Sequence, residues 1–187
     1  MRKAIITLGF AALVLAQLGG ATLASAQAKR SPTPAIAIVD VQAIMQNSEA
    51  AKSIRTQIEK VRNSYQQTIH GKEEELRKLD QDLEQQRSVL SSDAFQQRQR
   101  DFQQKVSEAQ KDVQERSRKL EAAFGSAMEQ VQHAVLQIVQ QIAKEQNITL
   151  VLQRAGVVYA PEDMDITQEV LKRLNSRLPS VNVTIPK

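Results

Sequence analysis

Residues 35–41 (AIAIVDV) and 148–152 (ITLVL) are short, nearly unbroken apolar runs rich in Ile and Val, and the long stretch between them is polar with apolar positions set singly. Unbroken runs of that length predict strands covered on both faces. A third run, residues 157–160 (VVYA), follows the second across Gln153-Arg154-Ala155-Gly156. Gly156 supplies the backbone freedom for a hairpin between the two. Three short strands at the two ends of a long insertion predict a small sheet that gathers both ends.

The insertion has a helical period. From Ile54 the apolar positions step mostly by four and three through Ile58, Val61, Tyr65, Ile69, Leu76, Leu79, Leu83 and Leu90, with Lys72 and Gln86 filling two expected places. That is a thinly furnished coiled-coil seam. Ser91-Ser92-Asp93 then offers a helix cap, and the pattern resumes through Phe95, Phe102, Val106, Val113, Leu120, Phe124, Met128, Val135 and Ile142. The second helix is expected to end near residue 146. In an antiparallel hairpin the numbers of facing residues add to a constant. Leu79 with Phe102, Leu76 with Val106, Ile69 with Val113, Val61 with Leu120, Ile58 with Phe124 and Ile54 with Met128 each add to 181 or 182. The implied tip falls at Leu90 and Ser91, beside the independent capping signal. A helix from about residue 49 to the tip makes an arm on the order of 60 Å long.

Downstream, Asp165 and Gln168 are spaced for a capping box, and Val170, Leu171, Leu174 and Leu178 form one apolar stripe of a short helix that Pro179 stops. In the tail that follows, Val181, Val183 and Ile185 alternate, which suggests an extra edge strand. At the other end, Arg2 and Lys3, an apolar run and the triplet Ala24-Ser25-Ala26 have the layout of a cleaved secretory signal, too interrupted by Gln17, Gly19 and Gly20 to span a bilayer. The fold class expected is therefore mainly α with a small β body. Its parts are a signal peptide (1–26), a linker (27–34), a β-containing oligomerisation body (35–47 and 147–187) and a helical hairpin arm (48–146) inserted between the body's strands.

Composition narrows the function classes. Aromatic residues make up 3% of the chain and Trp and Cys are absent, so no bulky core fills the middle and no disulfide staples an exported fold. Removing residues 1–26 takes away two of the 25 basic residues and none of the 21 acidic ones, which leaves a net charge of +2. No concentrated basic face for nucleic acid is visible. Neither a Walker-type phosphate loop nor a nucleophile elbow is present. His70 and His133 are too far apart for a helical metal pair, and the consecutive Glu73, Glu74 and Glu75 do not converge on one ion, so all five read as solvated positions. No catalytic residue, metal or cofactor is expected. Gly71 and Gly125, each costing a helix interior about 1 kcal/mol relative to Ala, mark either hinges or close packing against a neighbour. Between Ile54 and Leu120, fourteen bases face twelve acids, a nearly neutral mixed surface.

The start Ile36-Ala37-Ile38-Val39-Asp40 after a signal peptide, the Gln-rich hairpin, the 148–160 segment with Tyr159, and Asp165-Ile166-Thr167 before a short amphipathic helix together resemble the Skp (OmpH-like) family of periplasmic chaperones. The resemblance covers residues 35–178. It implies a periplasmic homotrimer whose strands build one β body, with three arms around a cavity that holds unfolded outer-membrane proteins without ATP. Ile36, Ile38, Val39, Ile148, Leu150 and Leu152 would then belong to the oligomer body. Val89, Leu90, Phe95 and Phe102 on the arm are the expected client contacts. The partners implied are unfolded outer-membrane proteins, further copies of the chain and, transiently, the membrane surface, with no nucleic acid. The competing reading is a periplasmic coiled-coil scaffold or adaptor that binds one folded envelope partner.

Overall fold

The computed structural model describes residues 34–186; the expected signal peptide and nearly all of the linker lie outside them. Strand β1 (Ile36–Val39) pairs in parallel with β2 (Leu150–Gln153), with Ile36 opposite Leu150 and Val39 opposite Gln153. Parallel neighbours need a crossover connection. Here the crossover is the arm: a short helix α1 (Val41–Asn47), the ascending α2 (Glu49–Gln86) and the descending α3 (Ser92–Glu145). Helix α4 (Thr167–Arg177) closes the body.

Local chemistry sets these boundaries. The Asp40 carboxylate accepts from the Ala43 backbone N–H at 2.8 Å, so the residue just after β1 starts α1, a helix that the sequence reading folded into the strand region. Ser48, fully buried, ends α1 by donating its N–H to the Ile44 carbonyl at 2.9 Å and starts α2 by accepting from Ala51. Asn175 of α4 accepts a second free N–H of that helix start, from Glu49 at 2.9 Å. Ser91 caps α3 as expected. At the far end of α3, Asn147 adopts a φ of 56° and the Ile148 N–H reaches back to the Ala143 carbonyl at 2.8 Å. This is the left-handed helix stop that Asn tolerates better than most residues with a Cβ.

The core lies where the arm meets the body. Ile44, Ile54, Val131, Val135, Ile138, Ile142, Val170 and Leu174 are almost entirely sealed from solvent, with Ala37, Val39 and Ile58 beside them. The apolar stripe of α4 is as the sequence indicated, Val170 and Leu174 fully buried and Leu171 and Leu178 packed against the same cluster.

Three local expectations are corrected. Residues 157–160 form no strand: the backbone takes one 3₁₀ turn at Arg154–Gly156, Gly156 has no positive φ, and without it the tight reversal of a hairpin does not form. Asp165 and Gln168 make no capping box, because the Asp165 carboxylate takes the Thr167 N–H at 2.8 Å and Arg154 at 2.7 Å, and no side chain caps α4. The tail is not an edge strand either. Its residues 180–186 take no regular secondary structure and do not pair with the sheet: Val181 is buried in the core, and the Gln57 side chain of α2 bonds the backbone on both sides of Asn182.

Candidate functional site

Burial divides the arm sharply. Ile58 is the last buried residue of α2 on the way out, and Ala123 is the first of α3 on the way back. None of residues 59–122 is buried. Seam residues such as Val61, Ile69, Leu76, Leu79, Leu83, Phe102 and Val106 are only half covered, since two helices alone cannot surround a seam that a third would close. The outer part of the arm therefore carries apolar side chains that its own fold does not bury.

The register is fixed by polar contacts as well. Arg116 lies over the Tyr65 ring, 4.9 Å from its centroid, and their numbers add to 181. Lys72, the polar interruption in the α2 seam, reaches across to Asp112, which Arg116 also holds at 2.8 Å. The Lys72 hydrogen bond first, and the Arg116 one second, hold the Asp112 carboxyl below its ordinary range. On the body side of this cluster the two helices line a cleft of about 670 Å³ with Ile58, Tyr65, Ile69, Val113, Leu120 and Phe124. Gly71 and Gly125 lie within unbroken helices, and a Cβ on either would meet nothing within 4 Å. Close packing against a neighbour within the chain is thereby ruled out as their reason.

Of the four arm residues singled out in the sequence, three come together at the tip. Val89, 77% exposed, and the half-buried Leu90 sit in the turn that follows α2, where both N–H groups bond the Gln86 carbonyl. Phe95 lies one helical turn into α3, its N–H on the Ser91 carbonyl. Phe102 lies two turns further down, half covered at a seam position, where it lines a shallow cleft with Leu79 and Leu83. Among the described residues no three His, Cys, Asp or Glu side chains gather where they could hold a metal ion, and no helix is long and apolar enough to cross a membrane.

In the body, the two motifs that carried the resemblance meet. Ile38 bridges to Asp165, the Ile166 N–H donates to the Ile38 carbonyl at 2.9 Å, and the Asp40 N–H donates to the Thr167 hydroxyl at 2.8 Å. Burial would push the Asp165 carboxyl up, but hydrogen bonds from Thr167 and the Arg154 charge outweigh it and hold it below the ordinary range. The residues assigned to the body divide in two. Ile38 and Val39 are sealed in the subunit's own core, with Ile36 and Ile148 half covered, whereas Leu150 is 47% and Leu152 39% exposed. Val158 and Tyr159 project into solvent nearby in sequence, and β2 has no strand on its outer edge among the described residues.

The profile of the family described as "Outer membrane protein (OmpH-like)" matches residues 35–174, the stretch from β1 into the last turn of α4. The chain belongs to the OmpH-like family. Its backbone also matches the crystal structure of a candidate outer membrane chaperone (OmpH-like) from Caulobacter crescentus CB15, with a TM-score of 0.77 over 84% of this chain and 93% of that one. Identity in that pair is 21%, so the likeness is one of fold. No curated protein matches the chain. Within the OmpH-like chain, the matched stretch holds both motifs, the whole arm and every core residue but Val181, and it stops short of residues 175–187.

Sequence reasoning missed two features. The cleft at Tyr65 and Phe124 was hidden because its residues read as ordinary seam positions, and periodicity reports which face is apolar without reporting how far apart the helices stand. The grip of Gln57 on the tail was hidden because Gln57 is one of many Gln on a Gln-rich helix.

Proposed function

We propose that this OmpH-like protein is an ATP-independent periplasmic holdase that binds unfolded outer-membrane β-barrel proteins and keeps them from aggregating. The observation that carries this reading is the arm from residue 59 to 122, which holds a continuous series of apolar side chains and buries none of them. A surface of many half-exposed apolar positions among nearly balanced charges binds many sequences weakly, as a holdase requires, and selects none of them tightly. The name of the structural neighbour, a chaperone, points the same way. The working assembly in this reading is a homotrimer. Leu150, Leu152, Val158 and Tyr159 are the apolar surface that neighbouring copies would cover, since a two-stranded sheet is marginal alone. The arms then stand around a shared space, with Val89, Leu90 and Phe95 at its rim, and nothing in the mechanism requires catalysis.

The test is dilution of a urea-denatured outer-membrane barrel protein, followed by light scattering, with the intact protein and with a form in which residues 61–120 are replaced by a short loop. Because every fully buried core residue lies outside that stretch and only the half-covered Leu120 packs on the core from within it, the shortened form is expected to fold and assemble as the intact one does. Protection by the intact protein alone is the expected result. Equal protection by both moves the activity to the body, and protection by neither favours a scaffold that binds one folded partner.

A further inference from the structure

The C-terminal tail occupies a site with the recognition properties of a strand-binding groove. Residues 181–185 read Val-Asn-Val-Thr-Ile, apolar and polar in strict alternation. The apolar three face the protein: Val181 is buried, Val183 and Ile185 are half covered, and Asn182 and Thr184 are exposed. One side chain reads the backbone between them. The Gln57 amide N–H donates to the Val181 carbonyl at 2.7 Å, and its oxygen accepts the Val183 N–H at 3.0 Å, the paired donor and acceptor that a neighbouring strand would present. Ser53, one turn earlier, holds that amide in place through its hydroxyl at 3.1 Å. These two bonds are the only hydrogen bonds that residues 180–186 make among the described residues.

Such a site selects extended backbone with an apolar side chain at every second position and is indifferent to the residues between. That is the pattern of a membrane-barrel strand, whose lipid-facing and lumen-facing residues alternate. The site lies at the foot of the arm, on the residue just before Ile58, where the chain's own burial ends and the cleft of Tyr65 and Phe124 begins. The tail lies beyond the stretch that the family profile matches, and Val181 anchors it in the core.

Resting on the holdase reading, we propose that the Gln57 site is a binding site for extended β-barrel segments of the client, and that residues 180–186 are an intramolecular stand-in that fills it until a client displaces them. The tail then weakens capture by the fraction of time it holds the site, and a client strand entering at the foot of the arm takes over the Gln57 amide and the apolar positions of Val183 and Ile185.

The chain has no Cys, so a spin label on Thr184→Cys, an exposed position, reports the tail alone. In the intact assembly, adding a barrel protein from urea is expected to raise the mobility of the label in step with capture, measured on the same samples by light scattering. An unfolded helical protein, lacking the alternation, is expected to leave it nearly unchanged. In parallel, Val183→Ser with Ile185→Ser keeps the buried Val181 anchor while loosening the rest. If the tail fills the site nine-tenths of the time, that variant tightens the client Kd on the order of tenfold. A label that stays immobile while capture proceeds overturns the proposal and leaves the holdase reading standing, as does an unaltered Kd in the double variant. Equal mobilisation by the helical protein overturns the strand specificity. Absence of capture by the unlabelled wild type removes the holdase reading and this site with it.

Discussion

Replacing Gly71 and Gly125 by Ala tests whether the arm must bend. Each glycine stands inside an unbroken helix, and the added methyl meets no atom within 4 Å, so no steric penalty offsets the gain in helix propensity. That gain is about 1 kcal/mol per site. The two positions lie on different helices at different heights of the arm and share no partner, so their effects add to about 2 kcal/mol. For a chain of this size that is a rise in Tm of roughly 4–8 °C, read by circular dichroism at 222 nm. Part of it comes from a less free unfolded chain, which leaves the sign unchanged. A stiffer arm should also hold a denatured barrel protein less well, with light scattering after dilution rising relative to wild type. A fall in Tm for either variant would refute the reasoning, because it means that another copy of the chain fills the space beside that glycine. A higher Tm with unchanged capture would show that bending is not needed.

Other outcomes follow from the register, the body and the ion pairs. Leu76→Cys with Val106→Cys should form an intrachain disulfide on mild oxidation, seen as a mobility shift on non-reducing gels, whereas pairs displaced by a heptad should not. Leu150→Lys should dissociate the assembly into folded subunits by light scattering, while Ile38→Lys, at a position only 3% exposed, should unfold the subunit itself by several kcal/mol. Acid should weaken the fold through Asp112 and Asp165, whose carboxyls are held below the ordinary value of 3.8. Their contribution is complete above that value and is lost as the pH falls through the lower folded values, so the Tm should be flat down to about pH 4 and drop below it. Asp112→Asn should shallow that drop.

The arm was legible because several independent signals agreed on it. A seam spaced by fours and threes fixed its helices, Ser91 fixed the tip, and the constant sum of facing residues fixed the register that Arg116 and Tyr65 display. The ends were less legible because their order depends on partners far away in sequence. Asp40 looks like the end of a strand until Thr167, 127 residues on, is placed against its N–H. Helix α1 escaped notice because it buries a single residue, Ile44, too few to show a period. The run Val157-Val158-Tyr159-Ala160 announced a need for cover without saying what supplies it, and within the described subunit Val157 and Ala160 are half covered while Val158 and Tyr159 stay exposed. Of the site residues, Phe102 and Phe95 looked alike as aromatic positions on one helix, and only the height of the turn separated seam from tip.

The parallel pairing of β1 with β2 has a consequence for how the chain comes together. Ile36 meets Leu150 across 114 residues, and closing a flexible loop that long directly costs about 4 kcal/mol in chain entropy beyond a constant. The hairpin supplies another route. Contacts around residues 86–95 close a loop of a few residues, and each further turn of α2 against α3 then closes one scarcely longer, so on loop-closure grounds the cheapest route zips the two helices from the tip towards the body and delivers the strands to each other last. Core and sheet are completed at the end of that sequence, after the polar, half-covered part of the arm has formed. On that route the segment least important to the stability of the folded subunit nucleates it, and the expected outcome in stopped-flow refolding is that substitutions near Ser91 slow folding whereas those at Ile54 or Val135 mainly speed unfolding.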